Sequence, residues 1–198
     1  MQPPCPSRTD SLALMQEFTA SESLRKHMLS VEAAMRAYAD RLEGDPERWG
    51  IAGLLHDFDY ERWPNATLSP TEEHPAHGVR MLRERGYPEE ICEAILGHAN
   101  YSGVPRVTPM AKALFAVDEL CGMITATALV RPSRSIHEVE PAAVRKKMKD
   151  KGFARGVNRD DVITGAEALG VPLDEHIAVV IAAMRGVAAE LGLSGVPA

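Results

Sequence analysis

Apolar residues recur at steps of three and four along nearly the whole chain, and this spacing limits the possible folds more than any other feature of the sequence. Leu24, Met28, Val31 and Met35 form one such stripe, and no segment shows the sustained apolar-polar alternation of a half-buried strand. The 198 residues, of which 45% are hydrophobic, suffice to bury such helix faces in one core. The pattern predicts an all-α helical bundle.

Proline, glycine and capping residues divide these stripes into separate helices. A short helix is expected over residues 11–19, followed by a longer one that Ser23 caps and Gly44 ends. Residues 58–73 mix aromatic side chains with prolines and are predicted to form a long loop, which in a compact domain is often functional. The other helices are expected to begin at Asp45-Pro46, Pro75, Pro88, Pro109, Pro141, Asn158 and Asp174.

The net charge of the chain argues against a nucleic-acid ligand. A formal charge of −6 does not suit a generic nucleic-acid binder, so DNA is not expected as a partner. Residues 131–159 are an exception, because nine Lys or Arg stand there against three acids. That stretch can meet a phosphate, although a solvated helix surface is the favoured interpretation for most of its side chains.

Neither the N-terminus nor the cysteines indicate export. Residues 1–10 lack the basic, apolar and small-residue order of a signal peptide. The uncharged, largely apolar run at residues 120–130 is far shorter than the roughly 20 residues that a membrane-spanning helix needs. Cys5, Cys92 and Cys121 are too few and too scattered for a disulfide framework. We therefore expect a cytoplasmic protein without a membrane role.

Several histidines and two aspartates fall on the predicted inner faces of the helices. His27 lies one turn from Leu24 and from Val31, and Asp118 lies between apolar residues of the helix that begins at Pro109. Buried carboxylates and imidazoles are normally paired or bound to a metal, because an isolated buried charge is very unfavourable. A shared ion would satisfy the whole set, which is His27, His56, Asp57, His98 and Asp118.

These residue types suit a hydrolytic metal site. Neutral imidazole and carboxylate oxygen are ligands for divalent ions, and we expect one or two ions of Mn, Fe, Co, Ni, Zn or Mg. Such ions polarise a phosphoryl oxygen and lower the pKa of bound water from about 15.7 to about 7. Asp57 is the expected catalytic carboxylate, because an aspartate at this position can bridge two ions.

The other histidines are assigned less directly. His74 and His77 share one helix face at a spacing of three residues, so only one of them need be a ligand. His137 and His176 lie in polar surroundings and are predicted to be surface residues.

The order His27, His56-Asp57, Asp118 resembles the signature of the HD superfamily of metal-dependent phosphohydrolases, which is a His, a His-Asp pair and an Asp on an all-helical fold. The resemblance covers roughly residues 20–130 and implies the same fold and chemistry here. In detail the chain is similar to the branch that binds two ions through two further histidines.

The segment His74-Pro75-Ala76-His77-Gly78 is similar to a helix start in the HD-GYP phosphodiesterases, a group within that branch. This similarity implies His74 as the first additional ligand, and His98 fits the second. Those enzymes carry a lysine three residues after the His-Asp pair, where this chain has Tyr60. Cleavage of a cyclic dinucleotide is therefore not expected.

The leading hypothesis is hydrolysis of a phosphoester or phosphoanhydride in a small, nucleotide-like phosphorylated molecule by a metal-activated water. Arg131 or Arg134, just beyond the Asp118 helix, is expected to bind the phosphate. The sequence does not identify the group that protonates the leaving oxygen; Asp59, Tyr60 and Glu61 are nearby in sequence, and solvent exposure is the favoured interpretation for Asp59 and Glu61.

Two other functions stay open. Relatives on the HD scaffold use a mixed-valence di-iron centre to oxidise organophosphonates or inositol, and a similar ligand set would serve such an oxygenase. Degenerate HD domains adopt non-enzymatic, nucleotide-sensing roles, although no ligand position is missing in this sequence.

One domain is expected for the whole chain. Residues 1–10 are predicted to be a flexible tail, residues 20–130 the metal-binding core, and residues 131–198 helices that pack on this core. The charge-poor helix over residues 174–191 either closes the bundle or pairs with a second copy in a homodimer.

Overall fold

The chain folds into a bundle of helices, which a computed structural model describes for residues 6–195. Within that range there are ten α-helices, two short 3-10 helices and no strand, so the predicted all-α bundle is confirmed. None of these helices is both long and apolar enough to cross a membrane. The α-helices are α1 (Arg8–Phe18), α2 (Glu22–Arg41), α3 (Pro46–Leu55), α4 (Ala76–Glu84), α5 (Glu89–His98), α6 (Pro109–Leu129), α7 (Pro141–Met148), α8 (Arg159–Leu169), α9 (Leu173–Gly186) and α10 (Ala188–Leu191).

Most helices begin close to their predicted starts because the first backbone N–H groups find the expected partners. At the start of α3 the Asp45 carboxylate accepts hydrogen bonds from the N–H groups of Glu47 and Arg48. Pro46 and Pro109 occupy the first positions of α3 and α6, where a backbone N–H has no partner within the helix.

The N-terminal helix is longer than predicted. It begins at Arg8, because Ser7 and Asp10 form a reciprocal capping box. The Ser7 hydroxyl accepts the N–H of Asp10 at 3.2 Å, and the Asp10 carboxylate accepts the N–H of Ser7 at 3.1 Å. The tail prediction is therefore wrong for residues 8–10. Residues 1–5, which include the first cysteine, lie outside the described residues.

Two further helix limits differ from the prediction. Ser21 rather than Ser23 caps α2, because the Ser21 hydroxyl accepts the N–H of Leu24. The helix expected over residues 174–191 is divided at Val187 into α9 and α10. Met28, Val31 and Met35 of the predicted apolar face of α2 stay buried, whereas Leu24 is partly exposed.

The helices α2 and α3 cross closely. A Cβ at Gly53 of α3 would lie 2.9 Å from backbone atoms of Val31 and Glu32 in α2, so only glycine permits this approach. α6 packs against α2 and α5, while α8 lies on α6 and α9 lies on α2. These contacts enclose one hydrophobic core and bring the inner faces of α2, α3, α5 and α6 together.

His176 is buried in α9, which contradicts its prediction as a surface residue. Its ring is 0% exposed, and Nε2–H donates to the carbonyl of Ala116 at 2.9 Å. Nδ1 therefore accepts the hydroxyl hydrogen of Tyr38 at 2.5 Å. Burial lowers the pKa of His176, and the neutral ring joins α9 to α2 and α6. His137, by contrast, is exposed as predicted.

Candidate metal centre

Side chains from five separate segments converge at one point of the bundle. The structure brings together all six residues that the sequence predicts as ligands. They are His27 in α2, His56 and Asp57 at the end of α3, His74 before α4, His98 at the end of α5 and Asp118 in α6.

One oxygen of Asp57 faces the first pair of histidines. Asp57 Oδ2 lies 3.4 Å from Nε2 of His56 and 3.9 Å from Nε2 of His27. Asp118 completes this group, since its Oδ1 lies 2.9 Å from His27 Nε2 and 3.4 Å from His56 Nε2. Donor atoms of His27, His56 and Asp57 lie within 4.8 Å of one another, close enough to share a single ion.

The other oxygen of Asp57 faces a second pair of histidines. Asp57 Oδ1 lies 3.3 Å from Nε2 of His74 and 3.6 Å from Nε2 of His98. The donor atoms of these three residues also lie within 4.8 Å of one another. Asp57 is thus common to two candidate ion sites and presents one oxygen to each.

Hydrogen bonds hold two of the rings with Nε2 turned to the carboxylates. Nδ1 of His56 donates to the carbonyl of Gly53 at 2.8 Å, and Nδ1 of His98 donates to the carbonyl of Ile95 at 2.5 Å. A carbonyl oxygen only accepts, so Nδ1 carries the proton and Nε2 of the neutral ring keeps its lone pair. Metal-binding histidines almost always have a partner of this kind.

Asp59 holds a third ring, and the sequence analysis missed it. Its Oδ1 accepts a hydrogen bond from Nδ1 of His74 at 2.8 Å, and its Oδ2 accepts the N–H of Gly78 at 2.7 Å. Asp59 is only 1% exposed, so the favoured interpretation as a solvent-exposed acid is wrong. A Cβ at position 78 would lie 2.6 Å from Cγ of Asp59, so glycine is what lets the carboxylate reach this position.

His77 and Glu61 stay outside the cluster. The His77 ring stacks on Trp63 with centroids 3.9 Å apart and is partly exposed. The geometry therefore selects His74 from the two histidines that the spacing left open. Glu61 is exposed, as expected, and accepts two backbone N–H groups just before α2.

Opposite charges stabilise one another inside the cluster. Burial alone would lower the pKa of His56, but the attraction of Asp57 and Asp118 outweighs burial and raises that pKa well above its ordinary value. Burial likewise opposes ionisation of the two carboxyls, yet His56 and the neighbouring imidazoles hold the pKa of each well below its usual range. Both carboxylates are therefore ionised at neutral pH and favour positive charge between the rings.

The donors fit a divalent ion. Imidazole nitrogens and carboxylate oxygens face one another, and the two cysteines of the described range, Cys92 and Cys121, are buried elsewhere. A bound cation would balance the ionised carboxylates in place of protons on the rings. Nitrogen and oxygen donors of this kind bind Mn, Fe, Co, Ni or Zn, and the choice among ions remains a prediction.

The two arginines predicted to bind phosphate lie in different places. Arg134 lines a cavity of about 570 Å³ whose wall includes His27. Arg131 lines a separate cavity of about 370 Å³ with Lys146 and Lys147, and no residue of the cluster lines it. This placement supports Arg134, but not Arg131, as a residue that contacts a substrate.

A helical bundle whose His and Asp side chains can hold a metal ion is typical of metal-binding helical proteins. A model of the HD domain family matches residues 24–123, about half of the chain, and the match includes all six residues of the cluster. The chain belongs to the HD domain family, whose members are in general metal-dependent hydrolases. No curated protein and no solved structure matched the chain.

Proposed function

We propose that this HD-domain protein is a metal-dependent phosphohydrolase that cleaves a phosphoester or phosphoanhydride bond of a small, nucleotide-like molecule. The observation that carries the proposal is Asp57, whose two oxygens face two separate pairs of histidines. A shared carboxylate of this kind suits a pair of neighbouring ions. When bound, such ions polarise a phosphoryl group, activate water and stabilise the leaving oxygen.

The chain supplies fixed ligands on both sides of Asp57. His27, His56 and Asp118 would hold one ion, and His74 and His98 would hold the other. Hydrogen bonds to Nδ1 keep three of the four rings in place, so the donors need little rearrangement on binding.

The cluster is partly exposed at His27, Asp57 and Asp118. The side chains of His27 and Asp57 are 23% and 17% exposed, whereas His56 is fully buried. A phosphate can therefore approach the cluster from the side of His27 and Asp57.

Metal analysis combined with a screen for phosphate release tests the proposal. The protein should bind up to two divalent ions per chain and release phosphate from nucleotides or dinucleoside polyphosphates when Mn²⁺ or Co²⁺ is added. Asp57→Ala should abolish release and lower the metal content, because it removes a carboxylate that both sites share. Glu61→Gln is the matched control, since that carboxylate is exposed and should leave both properties unchanged. Full activity with normal metal content in Asp57→Ala would refute the site.

A second pair of variants tests the choice of histidine. His74→Ala should reduce metal content and activity far more than His77→Ala, because only His74 faces Asp57. The reverse order would show that the wrong histidine has been assigned. Oxygen consumption by the iron-loaded protein without phosphate release would replace hydrolysis by the di-iron oxygenase hypothesis.

A further inference from the structure

A groove lined by α2 and α6 includes His27 of the metal cluster, and we name it the His27–Arg134 groove after two of the residues that line it. Along α2 its wall continues from His27 back to Ser23, and along α6 from Gly122 to Ala126. Gly122 follows Asp118 by four residues, and Ser23 precedes His27 by four. Residues four apart lie on one face of a helix, so the groove extends the faces that carry two of the proposed ligands.

The far wall of the groove comes from the C-terminal part of the chain, outside the family match at residues 24–123. Gly192 makes room for Lys26, because a Cβ at position 192 would lie 3.0 Å from the Lys26 ammonium nitrogen. The volume of about 570 Å³ falls in the range of small-molecule sites, which is about 300–1,000 Å³. The apolar surface of this wall is supplied by Leu129, Leu191 and Leu193.

Two cationic side chains line the groove, and they differ in their partners. Lys26 forms an ion pair with Glu22 at 2.5 Å. Within the described residues the guanidinium of Arg134 has neither a hydrogen bond nor an ion pair. Arg134 is exposed at the surface and lines the groove, so its guanidinium can bind an anion there.

We propose that the His27–Arg134 groove binds the organic part of the substrate, and that Arg134 binds a second anionic group on it. This inference rests on the proposed function, because it takes the reacting phosphate to lie at the cluster. The apolar walls fit a flat or apolar body of about nucleoside size. The second anion, a phosphate or a carboxylate, is a group other than the one that reacts at the cluster.

Equilibrium dialysis of the full-length protein as purified tests the groove separately from hydrolysis. The probes are adenosine 3′,5′-bisphosphate and uncharged adenosine, with the nucleotide checked for cleavage by chromatography. Arg134→Gln should weaken binding of the bisphosphate about tenfold or more and leave adenosine unchanged, because it removes a charge-assisted contact. Ala126→Leu should weaken both probes by filling the groove.

Two control variants lie away from the groove. Arg155→Gln removes an exposed arginine of the basic stretch, and Ala178→Leu adds the same bulk to an exposed position of α9. Both should bind the probes as the unmodified protein does. This comparison separates the loss of a particular contact from a general loss of positive charge or a change in helix composition.

The outcomes distinguish the two proposals. Equal affinity of the bisphosphate for the unmodified protein and Arg134→Gln, or no binding at millimolar concentration, would overturn the groove proposal whatever the phosphate-release screen shows. Expected binding without hydrolysis of any phosphate compound would refute the proposed function and leave the groove as a binding site. Hydrolysis with the KM unaffected by Arg134→Gln would support the function and overturn the groove.

Discussion

Replacement of Asp59 by Asn should weaken one of the two candidate ion sites and spare the other. The carboxylate accepts two hydrogen bonds, at 2.8 Å from Nδ1 of His74 and at 2.7 Å from the N–H of Gly78. Asparagine has the same shape but only one oxygen, so it can accept from only one of these donors. If the asparagine oxygen accepts the N–H of Gly78, the asparagine NH₂ group faces Nδ1 of His74. It can only donate there, so it favours the His74 tautomer that carries its proton on Nε2. That proton would block the atom that faces Asp57.

The expected loss is about 10- to 100-fold in affinity for the ion held by His74 and His98, the range for residues that orient metal ligands. This loss corresponds to about 1.4 to 2.8 kcal/mol of binding free energy. We expect the upper half of the range, because Asp59 is only 1% exposed and water cannot replace the lost acceptor. The ion held by His27 and its neighbours should bind as before.

Calorimetric titration of the metal-free protein with Mn²⁺ measures the two sites separately. Glu61→Gln is the control, because it removes an exposed carboxylate two residues further along the chain. Thermal melts of both variants establish that they are folded. Unchanged affinity for both ions in folded Asp59→Asn would refute the role of Asp59. Equal weakening of both sites would show that Asp59 supports the fold and not one ligand.

Three further predictions concern the packing of the bundle. Gly53→Ala should lower the melting temperature, because its Cβ would lie 2.9 Å from the backbone of Val31 and overpacking costs about 1–3 kcal/mol of stability. An unchanged melting temperature would show that α2 and α3 can move apart without loss of stability. Burial lowers the pKa of His176 in the folded protein, whereas the unfolded ring titrates near about 6.5. The contribution of the neutral ring to stability is therefore complete above about pH 6.5 and is lost as the pH falls from there through the lowered pKa of the folded ring. Between about pH 7.5 and about pH 5.5, the free energy of unfolding in urea should therefore fall less in His176→Gln than in the unmodified protein. Equal decreases would contradict a buried, neutral His176. Burial raises the pKa of the Cys92 thiol to about 11, so iodoacetamide should label it only after unfolding, and rapid labelling of the native protein would contradict its burial.

The helices and most of the cluster could be predicted because their signals are local. Pro46 and Pro109 mark helix starts through their own backbone chemistry, and neighbouring apolar residues fix the inward faces of His27 and Asp118. Local signals of this kind did not decide between His74 and His77. The spacing left two histidines open, and only the family resemblance favoured the one that the structure places beside Asp57.

Asp59 and His176 were misjudged because distant partners decide their burial. Asp59 lies in a segment without helical periodicity, and the ring that it holds follows 15 residues later. His176 pairs with Tyr38, which is 138 residues away in sequence. Asp59 stands two positions from Asp57 and from Glu61, and His176 follows Asp174 and Glu175, yet both side chains are enclosed in space. The polarity of a short segment therefore indicates little about one polar side chain, since a remote hydrogen-bond partner can offset the free-energy cost of burial.

The separation of the ligands along the chain has a consequence for stability. His27 and Asp118 are in contact although they are 91 positions apart in sequence, so an ion held by both would act as a cross-link that closes a long loop. An ion that binds only the folded chain raises the free energy of unfolding with its concentration. Thermal unfolding in the presence of different ions should therefore rank them by affinity, and so identify the favoured metal before any substrate is known.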